Sequence, residues 1–131
     1  MEEGELWAFL EEHLRSIYEG DWATYEATTH EELSLYEWFV APHRLDGLPF
    51  HRFMLENQWA TRGRPYRLDL LEKRLQRYKD VAIFSYPLLV TVEGDGLRHF
   101  AVNESRVAVR FPEGWKVVHV HKSPAGAGLS L

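Results

Sequence analysis

The 131-residue sequence has no cysteine, which removes disulfide frameworks, thiolate metal sites and cysteine nucleophiles together and leaves the redox compartment unmarked. Basic residues are in deficit. Fifteen Lys and Arg against twenty Asp and Glu give a formal charge of -5, and they are scattered rather than gathered. A protein that tracks nucleic-acid phosphates needs the opposite balance, so no nucleic-acid partner is expected. Long apolar runs are missing too: the most apolar stretch, Val81 to Val92, is broken by Ser85 and Pro87 and is too short to span a bilayer. The opening Met-Glu-Glu-Gly-Glu is acidic where a secretory signal would be basic. The expectation is a soluble cytoplasmic protein with no membrane partner. There is also no phosphate loop, HExxH string or Ser-His-Asp order, so no cofactor, metal or catalytic residue is assigned.

What is present suffices for one core. Apolar residues make up 45% of the chain and aromatics 14%, which at this length fills a single domain, expected over 1–124, with a loose tail at 125–131. Leu6, Phe9, Leu10, His13, Leu14, Ile17 and Tyr18 recur at three- and four-residue spacing and predict an amphipathic helix, ended by Gly20. Asp21 is placed to cap a second short helix to about Thr28, and Thr28, Thr29 and His30 read as a break. Leu33 to Phe39 predicts a short strand. Gly47-Leu48-Pro49 opens a third helix, since proline in a first helical turn loses no hydrogen bond. Phe50, Phe53, Met54 and Asn57 are its expected inner stripe, and Trp7, Trp22, Phe50, Phe53 and Trp59 are expected core aromatics. From Arg67 to Tyr78, the spacing of Leu68, Leu71, Leu75 and Tyr78 and the Leu, Glu, Lys and Arg content predict a helix.

The back half reads as strands. Val81 to Val92 and Leu97 to Phe111 flank Glu93-Gly94-Asp95-Gly96, a hairpin sequence, and Phe111-Pro112-Glu113-Gly114 turns into Trp115 to Ser123. Helices first and a long meander afterwards give an α+β domain. In the last strand, strict alternation places Trp115, Val117, His119 and His121 on one face, with Lys116, Val118, Val120 and Lys122 on the other. An aromatic, a valine and two imidazoles on one face need polar partners, supplied by a cavity or by a neighbouring subunit.

Several short motifs in order carry a resemblance. Gly20-Asp21-Trp22 with Tyr25, Tyr36-Glu37, Gly47-Leu48-Pro49-Phe50-His51-Arg52-Phe53 with Glu56-Asn57 and Trp59, Glu104-Ser105-Arg106-Val107, and Gly114 to Ser123 together resemble the association domain of calcium/calmodulin-dependent protein kinase II. The resemblance runs from about Leu6 to Ala125. It implies a nuclear transport factor 2-like cone, with three N-terminal helices packed in a strongly bent antiparallel sheet enclosing a cavity. It also implies a strand in place of the helix over 67–78, with a bulge or bend at Leu70-Leu71. The implied activity is non-catalytic self-association, at least as a homodimer and in the family as dimers joined into a ring. The 131 residues hold no kinase segment, so the expectation is a stand-alone relative.

Eight residues form the candidate ligand-binding set: Tyr36, Glu37, His51, Trp59, Glu104, Arg106, His119 and His121. Glu104 and Arg106 are two apart on one strand and share a face. An arginine buried there needs a partner, and Glu104 or Glu37 can supply it. The alternatives are a structural ion pair and a guanidinium that receives a small carboxylate ligand, which the family's polar lining, matched here by His51 and Arg106, supports. Thr61 and Tyr86-Pro87 depart from that lining, since relatives carry basic residues there. His119 and His121 resemble a two-histidine metal pair that lacks an obvious third ligand. A second reading, a SnoaL-like isomerase, dehydratase or cyclase using the same cavity, needs a base such as His51, His119 or His121 beside Glu37 or Tyr36.

Overall fold

The computed structural model describes residues 2–38, 40–59 and 61–125, with the side chains of Gln58 and Trp59 outside the description. Helix α1, Glu3–Glu19, presents Leu6, Trp7, Leu10, His13, Leu14 and Ile17 to the interior at the predicted spacing. It stops at Gly20, which takes the left-handed conformation (φ 68°) that favours glycine. Asp21 then accepts the Thr24 amide at 3.2 Å and caps α2, Trp22–Thr28. The expected break at residues 28–30 is absent, because strand β1, Thr29–Glu37, follows α2 directly. After the short β2, Leu45–Asp46, comes α3, Leu48–Met54, with Pro49 in its first turn, continued by a π-turn over Leu55–Trp59. The third helix therefore enters after two strands.

The stripe predicted for α3 is corrected. Its buried residues are His51 and Met54, whereas Phe50 and Phe53 are exposed. Residues 67–78 are likewise no helix: β3, Tyr66–Leu70, and β4, Arg74–Tyr78, both pair antiparallel with β5, Val81–Gly94. Leu71 and Tyr78, which a helix would have turned inward, are exposed, and Glu72 (φ 44°) lies in the break between the two strands. Pairing with β5 has overridden the local helical preference, as the family resemblance implied.

Strand β5 turns at Asp95 into β6, Gly96–Phe111, which pairs with β7, Gly114–Pro124. The sheet order is β2-β1-β7-β6-β5-β3, with β4 also on β5, and the sheet is curved and unclosed. It is mixed rather than wholly antiparallel, because β1 runs parallel to β7. Ala125 still donates its amide to Ala101 (3.2 Å), and the rest of the expected tail, 126–131, lies outside the described residues. One face of the sheet packs on the helices: Ala82, Phe84, Tyr86, Leu88 and Val90 of β5 alternate inward onto Leu6, Leu10 and Leu14 within one core. Trp7 meets Phe84 and Tyr86 edge-on at 5.1 and 5.9 Å. Each fully buried Leu or Phe contributes about 1.5–3 kcal/mol, so this layer holds α1 on the sheet.

Candidate functional site

Strand β7 decides which polar groups face inward. Its register against β6 shifts between Val107 and Ala108, which pair with His119 and Val117 and leave Val118 as a bulge. A bulge inserts one residue without a partner and reverses the alternation beyond it. Trp115 and Val117 therefore face the core, and so do Val120 and Lys122, while His119 and His121 turn to the outer face. The expectation that Trp115, Val117, His119 and His121 share one side is corrected by this single residue.

Inside, the registers place four polar side chains on one transverse row. Glu37 of β1 stands beside Lys122 of β7, Lys122 beside Glu104 of β6, and Glu104 beside Tyr86 of β5. The Lys122 ammonium lies 2.9 Å from the Glu37 carboxylate. The Tyr86 hydroxyl donates to Glu104 Oε1 at 2.8 Å. Arg106, two residues along β6 and only 1% exposed, donates Nε–H to Glu104 at 3.2 Å and to the Tyr86 oxygen at 3.1 Å. Two carboxylates thus face two cations.

Helices close this row from the other side. Arg106 Nη1 lies 3.0 Å from His13 Nε2, and because a guanidinium only donates, Nε2 is the acceptor. The His13 proton must then sit on Nδ1, which donates to Thr28 Oγ1 at 2.8 Å, and Thr28 in turn donates to the Thr24 carbonyl at 2.8 Å. His51 on α3 meets the Tyr25 hydroxyl at 3.0 Å through Nδ1, and His13 stacks on Tyr25 at 5.1 Å. Three helices are thereby tied to one arginine and to one another.

Burial sets the protonation states. It is the main reason that the His13 imidazole titrates well below its ordinary range, and the Arg106 and Lys122 cations push it the same way. Burial likewise brings His51 down to about 4, outweighing the Leu45 carbonyl that favours its charged form. For Glu104, burial pushes upward, but Arg106, Lys122 and the Tyr86 hydroxyl outweigh it and hold the carboxyl below its usual range. Tyr86, raised by burial and by Glu104, stays a protonated donor. Both buried histidines are neutral near pH 7, and the charges of Glu37, Lys122, Glu104 and Arg106 cancel. What such a balanced, hydrogen-bonded cluster does chemically is hold α1, α2 and α3 in place.

Of the eight residues chosen from sequence, Glu37, His51, Glu104 and Arg106 are buried inside. Tyr36, His119 and His121 lie together on the outer face, with Ser34 Oγ 2.7 Å from His119 Nδ1 and the Tyr36 ring 5.3 Å from that of His121. The Trp59 side chain is outside the described residues. Among the described residues no three His, Asp or Glu side chains gather as a metal site, and His119 and His121 have no third ligand. Sequence reasoning missed His13, Tyr25, Tyr86 and Lys122. For His13 the clue was a polar residue in phase with Leu6, Leu10, Leu14 and Ile17; for Tyr86, its alternation with Phe84 and Leu88; for Lys122 the bulge removed any clue.

Comparison with known proteins agrees with this architecture. The family model of the calcium/calmodulin-dependent protein kinase II association domain matches residues 2–126. The delta subunit of calcium/calmodulin-dependent protein kinase type II from Oryctolagus cuniculus is 26% identical over 122 residues, 91% of this chain and 23% of that protein. The chain therefore spans under a quarter of that relative's length. The solved CaMKII hub of S. rosetta is 29% identical with a TM-score of 0.77, over 92% of this chain and 94% of its own. A nuclear transport factor 2-like protein from Salmonella enterica, 21% identical over 96% of this chain and 93% of its own, shares the fold with a TM-score of 0.79. With the match spanning nearly every residue, this chain belongs to the calcium/calmodulin-dependent protein kinase II association-domain family.

Proposed function

We propose that this protein is a non-catalytic self-association domain whose copies pair, at least as a homodimer, through the outer face of β5, β6 and β7. One observation carries the choice of face. A sheet layered on helices from one side should present polar residues on the other, yet the outward positions of these strands include Val81, Ile83, Leu89, Val107, Val109 and Val118, all half-buried. Membership of an association-domain family makes a second copy the natural cover. A higher ring requires a second, different contact, and the exposed Phe50 and Phe53 on α3 are its candidates. A cytoplasmic setting fits this reading; no helix among the described residues is long and apolar enough to cross a membrane. Sedimentation velocity at micromolar concentration tests it. The expected species are dimers or larger, and a single species of monomer mass across the concentration series would rule the reading out.

A second reading, a small carboxylate held in the interior, draws on the convergence of Glu37, His51, Glu104 and Arg106 inside the cone. Its difficulty is that Arg106 is already engaged by Glu104, Tyr86 and His13. A ligand carboxylate would have to displace Glu104 and leave the cluster one negative charge in excess. Thermal-shift titration with short-chain carboxylates checks this: saturable stabilisation that the Arg106→Met variant lacks supports it, and no stabilisation at millimolar ligand removes it.

A further inference from the structure

We propose that His119 and His121 make the self-association of this protein pH-dependent, the assembled form requiring both imidazoles neutral. The inference rests on the reading that the outer face of the sheet is the contact between copies. The Val118 bulge places both rings on that face, beside the apolar positions Val107 and Ile83, which continue the cross-strand row of His119.

The surroundings of His119 favour its neutral form. From β1, His119 meets the Ser34 hydroxyl at 2.7 Å and the edge of Tyr36 at 6.3 Å. From β6 it faces Val107, which offers no polar group. On its own strand stands His121, packed on Tyr36 from β1 and opposite Ser105 of β6. The groove beside them is lined by Glu31, Glu32, Arg44 and Asp46, and the Arg44 guanidinium is paired with Asp46 at 2.8 Å. Burial lowers the His119 range, and the nearby His121 and Arg44 act in the same direction. A second copy seated on this face removes more water, which further disfavours the charged rings. Protonation and assembly then oppose each other, and by linkage the dimer dissociation constant rises as pH falls through the range in which His119 titrates in the separate copy, below that of free histidine.

The test is light-scattering mass after size exclusion, with circular dichroism at the same pH, for the full chain and the His119→Gln/His121→Gln double variant. The wild-type chain is expected to be dimeric or larger at pH 7.5 and to lose affinity by pH 5.5, by up to about tenfold, with its circular dichroism unchanged, tenfold per pH unit being the ceiling for one coupled site. The double variant is expected to show no pH dependence, its mass at a given concentration being the same at both pH values. A wild-type mass that does not change with pH overturns the inference, as does a double variant that dissociates like the wild type. Loss of circular dichroism in step with loss of mass also overturns it, since unfolding at the buried His13 and His51 then accounts for the change. A wild-type chain that is monomeric already at pH 7.5 contradicts the self-association reading itself, so the two failures are distinguishable.

Discussion

The two faces of the sheet treat the same side-chain chemistry in opposite ways. On the inner face every charged group among the described residues has a named counterpart: Glu37 with Lys122, Glu104 with Arg106 and Tyr86, Arg106 with His13. On the outer face, His119 stands beside the half-covered aliphatic positions Val107 and Ile83, and His121 beside Ser105. The difference teaches that polar groups in a sheet have to be sorted by face before they are assigned a role. Inside, they fix helices to strands. Outside, in the proposed reading, they shape the contact with a second copy.

The sharpest way to break the comparison is to open the inner face. Arg106→Met leaves Glu104 buried without its main partner and is expected to lose about 3–5 kcal/mol in urea denaturation. The double variant Glu104→Gln/Arg106→Met should recover much of that loss, because removing both charges of a buried pair costs far less than removing one. A single-variant loss below about 1 kcal/mol would mean that the pair is not sealed.

Acid tests the layer packed against that face through the histidines of α1 and α3. His13 and His51 have folded-state affinities for protons below those of the unfolded chain. The unfolded chain therefore takes up protons first, and stability is lost as pH falls below about 6.5. Each histidine contributes a slope of up to about 1.4 kcal/mol per pH unit. For His51 the slope persists until about pH 4. Urea midpoints at pH 7 and pH 5 should show the fall, and above pH 7 these groups should contribute no slope. His51→Gln should flatten the acid limb by about one proton's worth.

The bulge that divides the faces predicts a smaller effect. Deleting Val118 removes the residue that has no partner on β6 while leaving the pairs of Val117, His119, Val120 and Lys122 in place. The deletion is expected to fold, with a loss of about 1 kcal/mol in chemical denaturation, in the usual range for a change that leaves the core intact. A deletion that unfolds the chain would show that Val118 carries packing of its own. Smallest of all, His121→Gln on the outer face should change monomer stability by no more than about 0.5 kcal/mol.

Much of the fold was legible. The spacing of Leu6, Leu10, His13, Leu14 and Ile17 gave α1, Gly20-Asp21 gave the junction to α2, and Glu93 to Gly96 gave the long hairpin of β5 and β6. What misled was local preference where pairing between distant segments decides the outcome. Residues 67–78 have helical composition and are strands because β5 offers them partners. Phe50 and Phe53 look like core residues and face outward, because α3 turns His51 and Met54 inward instead. The site divided in the same way. Glu104 and Arg106 were legible because β6 alternates without interruption past them. Lys122 was not, and His119 and His121 were placed on the wrong face, because a one-residue bulge has no signature in Val117-Val118-His119-Val120. His13 and Tyr86 were in view as members of the α1 and β5 stripes, and their polar atoms find partners only where helix and sheet meet.

The division of labour between the faces is tested most directly by native mass spectrometry of the wild-type chain beside the Ile83→Glu and Val107→Glu variants, each adding a charge to the outer wall alone. The account predicts wild-type masses at multiples of 15.4 kDa and variants that fold yet fly as monomers. Variants that assemble as fully as the wild type would contradict it.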